Sequence, residues 1–357
     1  MQTQFEEAKA KTESLQANAA RYFNPNEPLK LERISKPQPG PNEVLLRVKA
    51  AGICHTDLHI MAGMMPTRPP PVTLGHEIAG QVEQTGPNVT QFKKGNRTVV
   101  HFISPCGNCN YCMEGRGVQC ENLFNRPFYG ASHDGGYAEY CTVDADRLVP
   151  IPEEVAYDFA ATLACAGLTA YHAVRKVGQV HLSENVGIYG TGGVGMYAVQ
   201  LAANSGANVI AISRNQKKLQ MAEALGASYS INNNQASVPE EIKKATNGRG
   251  VDVMFDFVAN DQSITDSTNS LANGGRLVVL GVSNKPLPLD AQSLVFRGLE
   301  VSGSLAGTKN ELVDLMGLAK TQEIQSVVTR GFKLQEVNEA LELLRQGEII
   351  GRSYVSI

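Results

Sequence analysis

Four of the chain's seven cysteines, Cys106, Cys109, Cys112 and Cys120, fall within fifteen residues at the spacing C-x2-C-x2-C-x7-C. The stretch "PCGNCNYCMEGRGVQC" has too little apolar surface to bury a core of its own. Four thiolates around one tetrahedral zinc would fix it by coordination instead. The bacterial iron–sulfur run also opens C-x2-C-x2-C, but its fourth cysteine follows three residues later and precedes proline. Here the gap is seven and Glu121 follows, so the spacing favours structural zinc over a cluster, disulfides or free thiols. Gly107, Gly115 and Gly117 are expected to supply the tight turns of the wrap. Protein would fill every coordination position, leaving the loop a structural role and no chemistry. An odd count of seven cysteines also disfavours a fully paired disulfide framework.

At 357 residues the chain exceeds the size at which one core stops growing, so two domains are expected. From about Ala20 to Val155 it reads as short strands broken by turns: "EVLLRVKAAGIC", "HEIAGQVEQTG" and "NRTVVHF". "YDFAATLACAGLTAYHAVRKV" then has small and apolar residues at helical spacing, predicting a buried helix or helix pair. Strands at "NVGIYG", "NVIAIS", "GVDVMFDFV", "GRLVVLG" and "LEVSGS" follow, with helices such as "GVGMYAVQLAANSG" and "NQKKLQMAEALG" between them. Strands alternating with helices imply a doubly wound parallel sheet. The tail carries helices at "KNELVDLMGLAK" and "LQEVNEALELLRQG" and a last strand at "GRSYVSI". The expected division is an exposed helical extension over residues 1–20, a β-rich domain from 21–165 with 304–357, and a Rossmann domain over 166–303.

A formal charge of -3 and the lack of a polybasic run speak against a nucleic-acid partner. No apolar stretch is long enough to span a bilayer, so no membrane association is expected. The N-terminus "MQTQFEEAKAKTESLQ" lacks the basic start and apolar middle of a signal peptide. A cytoplasmic protein with reduced thiols is the expectation.

A second constellation lies outside the loop. Cys54 in "GICHTDLH", His76 in "GHE" and Cys165 in "LACAGLTAY" offer two thiolates and one imidazole. A zinc with three protein ligands keeps a fourth position for a reacting oxygen. None of the three convinces alone, since a buried cysteine is usually a small hydrophobe. Cys141, the remaining cysteine, has no partner motif and is read as packing.

"GTGGVG", residues 190–195, sets Gly190, Gly192 and Gly195 in G-x-G-x-x-G register, with Thr191, Gly193 and Val194 between them. It follows one expected strand and opens an expected helix, the context a dinucleotide fingerprint requires. Missing side chains let a pyrophosphate approach the backbone at a helix N-terminus. At the end of the next strand an Asp or Glu would suit NAD. This chain has Ser213 and Arg214, with Lys218 one turn on, which suits the 2′-phosphate of NADP.

"GICHTDLH", "GHE", the four-cysteine loop, "LACAGLTAYHA" and "GTGGVG", in that order, resemble the zinc-containing medium-chain alcohol dehydrogenase family from about Arg21 to Ile357. The resemblance implies a GroES-like β-rich catalytic domain joined to the Rossmann domain, and two zincs per chain. It makes Cys54, His76 and Cys165 the catalytic zinc ligands and sets Glu77 beside the metal, where it exchanges with water or substrate or pairs with a basic group. Asp57 would accept the free N–H of His76 and fix its tautomer. Thr56 would bind the substrate hydroxyl, and His59 would complete a proton relay through the cofactor ribose to solvent. His55 and Arg352 would face the cofactor pyrophosphate, while Val258 and Leu280 would border the nicotinamide. Leu123, Phe124 and Phe128 are among the scattered positions expected to wall the substrate pocket.

The expected activity is therefore alcohol oxidation or carbonyl reduction with NADP(H) favoured and NAD(H) the alternative. Substrates would be small alcohols, aldehydes or ketones, and the assembly a homotetramer or homodimer by analogy with relatives. A polyol dehydrogenase is the enzymatic rival, although that relative usually has glutamate where Cys165 stands. A zinc-free quinone or enoyl reductase would not keep both ligand sets. A non-enzymatic protein on the same fold could lose Cys54, His76 or Cys165 freely, and all three are present.

Overall fold

In the computed structural model, which describes residues 16–283 and 285–357, the chain parts into two units between Cys165 and Ala166. The first unit runs to Cys165 and takes in Thr308–Lys320 and Val328–Ile357. The second comprises Ala166–Gly307 and Thr321–Val327. The last segment leaves the C-terminal tail because Gln200 grips it: Gln325 N donates to Gln200 Oε1 at 2.7 Å, and Gln200 Nε2 donates to Gln325 O at 3.2 Å.

The helical extension expected over residues 1–20 lies largely outside the described residues, and the part that is described is not a helix. Gln16–Tyr22 is strand β1, which pairs antiparallel with β2 (Lys30–Ser35) in the register Gln16↔Ser35 to Arg21↔Lys30. Its alanines invite a helix locally, but Ala17, Ala19 and Ala20 are buried and only pairing satisfies their backbone. The first unit therefore begins no later than Gln16.

The main sheet of this unit is built on β3 (Glu43–Gly52), whose adjacent Leu45 and Leu46 are both fully buried. Successive side chains point to opposite faces, so both faces of β3 are covered. Each such leucine contributes roughly 1.5–3 kcal/mol through burial. After the short β4 (Val72–Thr73), β5 (Glu77–Thr85) pairs antiparallel with β3 and ends the register at Gly52↔Glu77. The sheet continues through β6 (Arg97–Val100) to β8 (Leu148–Pro150), while β7 (Tyr140–Asp144) lies against β3. C-terminal strands Val328–Lys333, not foreseen from sequence, and Arg352–Ser356 complete it on the other side. Cys141, on β7, is 1% exposed in this core, and burial pushes its thiol up to about 12, as befits a packing residue.

The second unit is a six-stranded parallel sheet: β9 (Asn185–Tyr189), β10 (Asn208–Ser213), β11 (Tyr229–Asn232), β12 (Val251–Asp256), β13 (Leu271–Val279) and β14 (Glu300–Gly303). Its spatial order is β11-β10-β9-β12-β13-β14, the doubly wound order whose ligand crevice lies where the winding reverses, between β9 and β12. β11 was not foreseen from sequence. It is four residues long and half polar, and only its register against β10 makes it a strand. Among the described residues no helix is long and apolar enough to cross a membrane.

Candidate active site

Helix α1 (His55–Met61) starts just after β3 ends, and it carries four of the predicted site residues, His55, Thr56, Asp57 and His59. Asp57 Oδ2 accepts the N–H of Cys54 at 3.1 Å, which caps the helix and presents Cys54 at its N-terminus. Thr56 Oγ1 lies 3.7 Å from Cys54 Sγ. His59, three residues on, shares the helical face of Thr56 and is half-buried, whereas His55 is exposed.

Cys54, His76, Glu77 and Cys165 converge, with one ligand atom of each lying within 4.8 Å of the others. His76 and Glu77 reach the site from the turn into β5, and both are fully buried. Cys165 arrives on a π-helical turn, Leu163–Gly167, set between helix α2 (Tyr157–Thr162) and a helical continuation at Leu168–His172. The expected helix is thus one run with a wide turn at the ligand, a local form frequent at functional sites.

The residues fit a zinc. His76 Nε2 and Glu77 Oε2 are buried without a hydrogen-bond partner, a costly state that a metal would relieve. A set of two sulfurs and one imidazole nitrogen, with a carboxylate beside them, is a zinc donor set. The hydrogen bond from Cys165 holds the Cys54 thiol well below its usual range against the effect of burial. The same contact pushes Cys165 up. Burial pushes the Glu77 carboxyl up to about 8, with the Arg352 charge opposing it.

Asp57 is the hub beneath the ligands. Its Oδ1 faces His76 Nδ1 at 3.5 Å and accepts from Gly75 N at 3.3 Å, while Oδ2 accepts from the Tyr137 hydroxyl at 2.9 Å. Arg352, only 4% exposed, donates through Nη2 to Glu77 Oε1, so the fold brings it to the acid of the metal site. Gly52 makes room for that acid, since a Cβ there would come within 1.9 Å of Glu77 Oε2. Phe128 and Phe102 pack on the His76 ring, at centroid distances of 5.9 and 5.1 Å. Leu123 is buried and Phe124 is 77% exposed, so those two neighbours do not share an environment. Sequence reading missed Tyr137, Phe102 and Gly52. No spacing rule links residues that lie 80 positions apart, as Tyr137 and Asp57 do.

In the four-cysteine loop, ligand sulfurs lie within 4.8 Å of one another, and Cys106 and Cys112 are 3.9 Å apart. A tetrahedron of ~2.3 Å zinc–sulfur bonds has edges of about 3.8 Å, so the loop fits zinc as well. Backbone N–H groups aim at the sulfurs: Cys106 N at Cys120 Sγ (3.2 Å) and Cys109 N at Cys106 Sγ (3.4 Å). Such donation, led by the N–H of Asn108, pulls Cys106 down to about 6. Gly107 and Gly115 adopt φ of 80° and 77°, the left-handed turns expected of them. Gly117 does not. It opens a 3-10 turn, and its missing Cβ would lie 3.1 Å from Pro105 Cγ, so close packing is its reason.

In the second unit, Gly190 ends β9 with φ 101°, and Gly192 caps helix α3 (Gly193–Ala203) in extended backbone. A Cβ on Gly195 would strike Gly190 O at 2.2 Å, and one on Gly192 would meet nothing. The first glycine thus closes a helix against a strand, and the second leaves open space where a phosphate can approach. Thr191 Oγ1 is buried with no hydrogen-bond partner. A Cβ on Gly190 would touch Val258 Cγ2 at 3.0 Å, placing Val258 beside the fingerprint. Leu280 leaves β13 with its N–H on Asp256 O at 2.8 Å, at the same carboxyl edge. Ser213 closes β10, and Arg214 is exposed. Asn215 then caps helix α4 (Gln216–Ala224), accepting from Lys217 N at 2.9 Å and Lys218 N at 3.3 Å. Burial first, and the Arg214 charge second, lower the pKa of Lys218.

These two constructions define a metal-dependent, dinucleotide-linked dehydrogenase. Comparison with known proteins agrees: residues 40–153 match the alcohol dehydrogenase GroES-like domain, and residues 193–321 the zinc-binding dehydrogenase domain. An alcohol dehydrogenase of Geobacillus stearothermophilus is 35% identical over 332 residues, covering 92% of this chain and 96% of that one. A NAD-dependent alcohol dehydrogenase of Sulfurisphaera tokodaii is 34% identical over 94% of this chain and 98% of its own. The solved alcohol dehydrogenase of Aeropyrum pernix superposes with a TM-score of 0.88 at 34% identity, over 95% of this chain and 100% of that one. The chain belongs to the zinc-containing medium-chain alcohol dehydrogenase family, and it is an alcohol dehydrogenase.

Proposed function

We propose that this enzyme interconverts small alcohols with aldehydes or ketones, holding two zincs per chain and favouring NADP(H) over NAD(H). The observation that carries the chemistry is the buried convergence of Cys54, His76 and Cys165, with His76 Nε2 lacking any protein partner. Bound there, zinc supplies a Lewis acid for the substrate oxygen, and a nicotinamide supplies the hydride acceptor. Two thiolates, Cys54 and Cys165, offset the charge of the ion. Thr56 hydrogen-bonds the substrate hydroxyl, and His59, on the same helical face, hands the proton to solvent. Glu77 stands by as an exchangeable oxygen held by Arg352. The N–H groups that Glu77 leaves over on Arg352, together with His55, are assigned to the pyrophosphate. Cys106, Cys109, Cys112 and Cys120 hold the second zinc.

NADP(H) preference rests on Ser213 and the exposed Arg214 at the end of β10, with no carboxylate at that position and Lys218 one helical turn further on. An exposed guanidinium at this position suits an anion, and a 2′-phosphate is the anion this cofactor fold can offer. The enzyme is assigned to the cytoplasm as a homodimer or homotetramer. The test is a panel of primary, secondary and aromatic alcohols with both nicotinamides, on purified protein of known zinc content. Turnover that survives Cys54→Ser, or absent turnover across the panel in zinc-replete protein, overturns the reading.

A further inference from the structure

The polar contacts beneath the metal site end on a residue outside the ligand set. Tyr137 is fully buried, and its hydroxyl lies 2.9 Å from Asp57 Oδ2 and 3.2 Å from Gly52 O. A phenol has one proton, and the carboxylate is both the nearer and the charged acceptor. The same Asp57 also takes the Cys54 N–H at 3.1 Å and faces His76 Nδ1 at 3.5 Å. One proposed metal ligand is thus hydrogen-bonded to this carboxylate and a second faces it, and the carboxylate is in turn held by the phenol and by the Gly75 N–H at 3.3 Å.

Tyr137 is itself held in place. Its N–H donates to Leu74 O at 3.0 Å, and its carbonyl accepts from Ala20 N at 2.8 Å. Its ring packs closely on Gly75, where a Cβ would come within 2.6 Å of Cδ1, and Gly75 keeps a φ of 84°. Strand β1 and the turn into β5 thus hold the backbone of Tyr137, with its hydroxyl set between Asp57 Oδ2 and Gly52 O.

We propose that Tyr137 is a positioning residue for the metal centre: it orients Asp57, and through Asp57 sets the tautomer and aim of His76. The proposal rests on the reading of Cys54, His76 and Cys165 as a zinc site. Without the phenol, Asp57 keeps only the Cys54 N–H on Oδ2 and the longer Gly75 N–H on Oδ1, and is freer to turn from the imidazole. Partners of this kind typically change metal affinity by about 10- to 100-fold, and Tyr137 acts one bond further out. About a 3- to 10-fold faster loss of the metal is therefore expected in Tyr137→Phe.

The experiment uses cobalt(II)-substituted holoenzyme and a chelator, following the cobalt–thiolate absorption of each site. The four-cysteine loop in the same molecule serves as the control. Tyr137→Phe should release metal faster and shift the absorption at the Cys54–His76–Cys165 site only, leaving the loop unchanged. In an Asp57→Asn background, Tyr137→Phe should add nothing further, because the route through the carboxylate is gone. Unchanged release and absorption in Tyr137→Phe overturn the proposal alone, and equal acceleration at both sites overturns it as general loosening. An additive effect in the Asp57→Asn background also overturns it. A wild-type protein with no second metal overturns the site reading and the proposal together.

Discussion

Arg352 and Glu77, 275 residues apart in sequence, meet as a buried ion pair at the proposed metal site. The pair ties the last strand of the chain to the first residue of β5, with both side chains at 5% exposure or less. Removing Arg352 leaves the buried Glu77 carboxyl to stay charged or take up a proton, at a cost of up to about 3–5 kcal/mol. Arg352→Met should lose that much in urea unfolding, and Glu77→Gln/Arg352→Met should recover much of it, since the stranded carboxylate is then gone. A double variant no more stable than Arg352→Met would show that the pair is not the source of the loss.

The two cysteine clusters should separate cleanly by metal analysis. Cys106→Ser should lower stability and zinc content, because the loop loses a ligand and has little core beneath it. Cys54→Ser should abolish turnover, retain the loop zinc and leave the fold largely intact. Iron in place of zinc, or one zinc in fully active protein, would contradict the assignment.

Cofactor choice should follow Ser213 and Arg214. A hydrogen bond to a charged group contributes about 1.5–3 kcal/mol, or roughly 10- to 150-fold. Solvent around the exposed Arg214 should bring the effect toward the lower end. Arg214→Ala should weaken NADP chiefly, and Ser213→Asp should penalise NADP while helping NAD. The measurement is kcat/KM for both cofactors with one alcohol at fixed salt. A tenfold or greater preference for NAD in the unmutated enzyme would reject the Ser213–Arg214 argument.

His59→Gln should slow alcohol oxidation most near neutral pH, with partial recovery as hydroxide becomes able to take the proton directly. Acid–base help of this type reaches about 10²–10⁴-fold at its strongest, and a relay to solvent should sit at or below the low end. An unchanged pH–rate profile removes His59 from proton transfer.

What could be read in advance was chemistry written as spacing. Cys106, Cys109, Cys112 and Cys120 lie close in sequence, and Gly190, Gly192 and Gly195 mark one turn, so local pattern suffices for both. Cys54, His76 and Cys165 are far apart, and only family resemblance gathered them before the fold did. Elements that owe their form to tertiary pairing escaped. Gln16–Tyr22 has an alanine-rich helical look and becomes a strand because Lys30–Ser35 offers its backbone partners. The hydroxyl of Tyr137 gives no signal in "GGYAEY", since its acceptor arrives from the turn after β3.

The π-helical turn at Leu163–Gly167 makes the proposed third metal ligand, Cys165, sensitive to length as well as to identity. A regular helix advances 100° per residue, so trimming one residue from this turn would leave a smoother rod with its thiol swung off target. Shortening here therefore trades backbone regularity directly against coordination. Any engineering of the stretch must count residues before it chooses side chains.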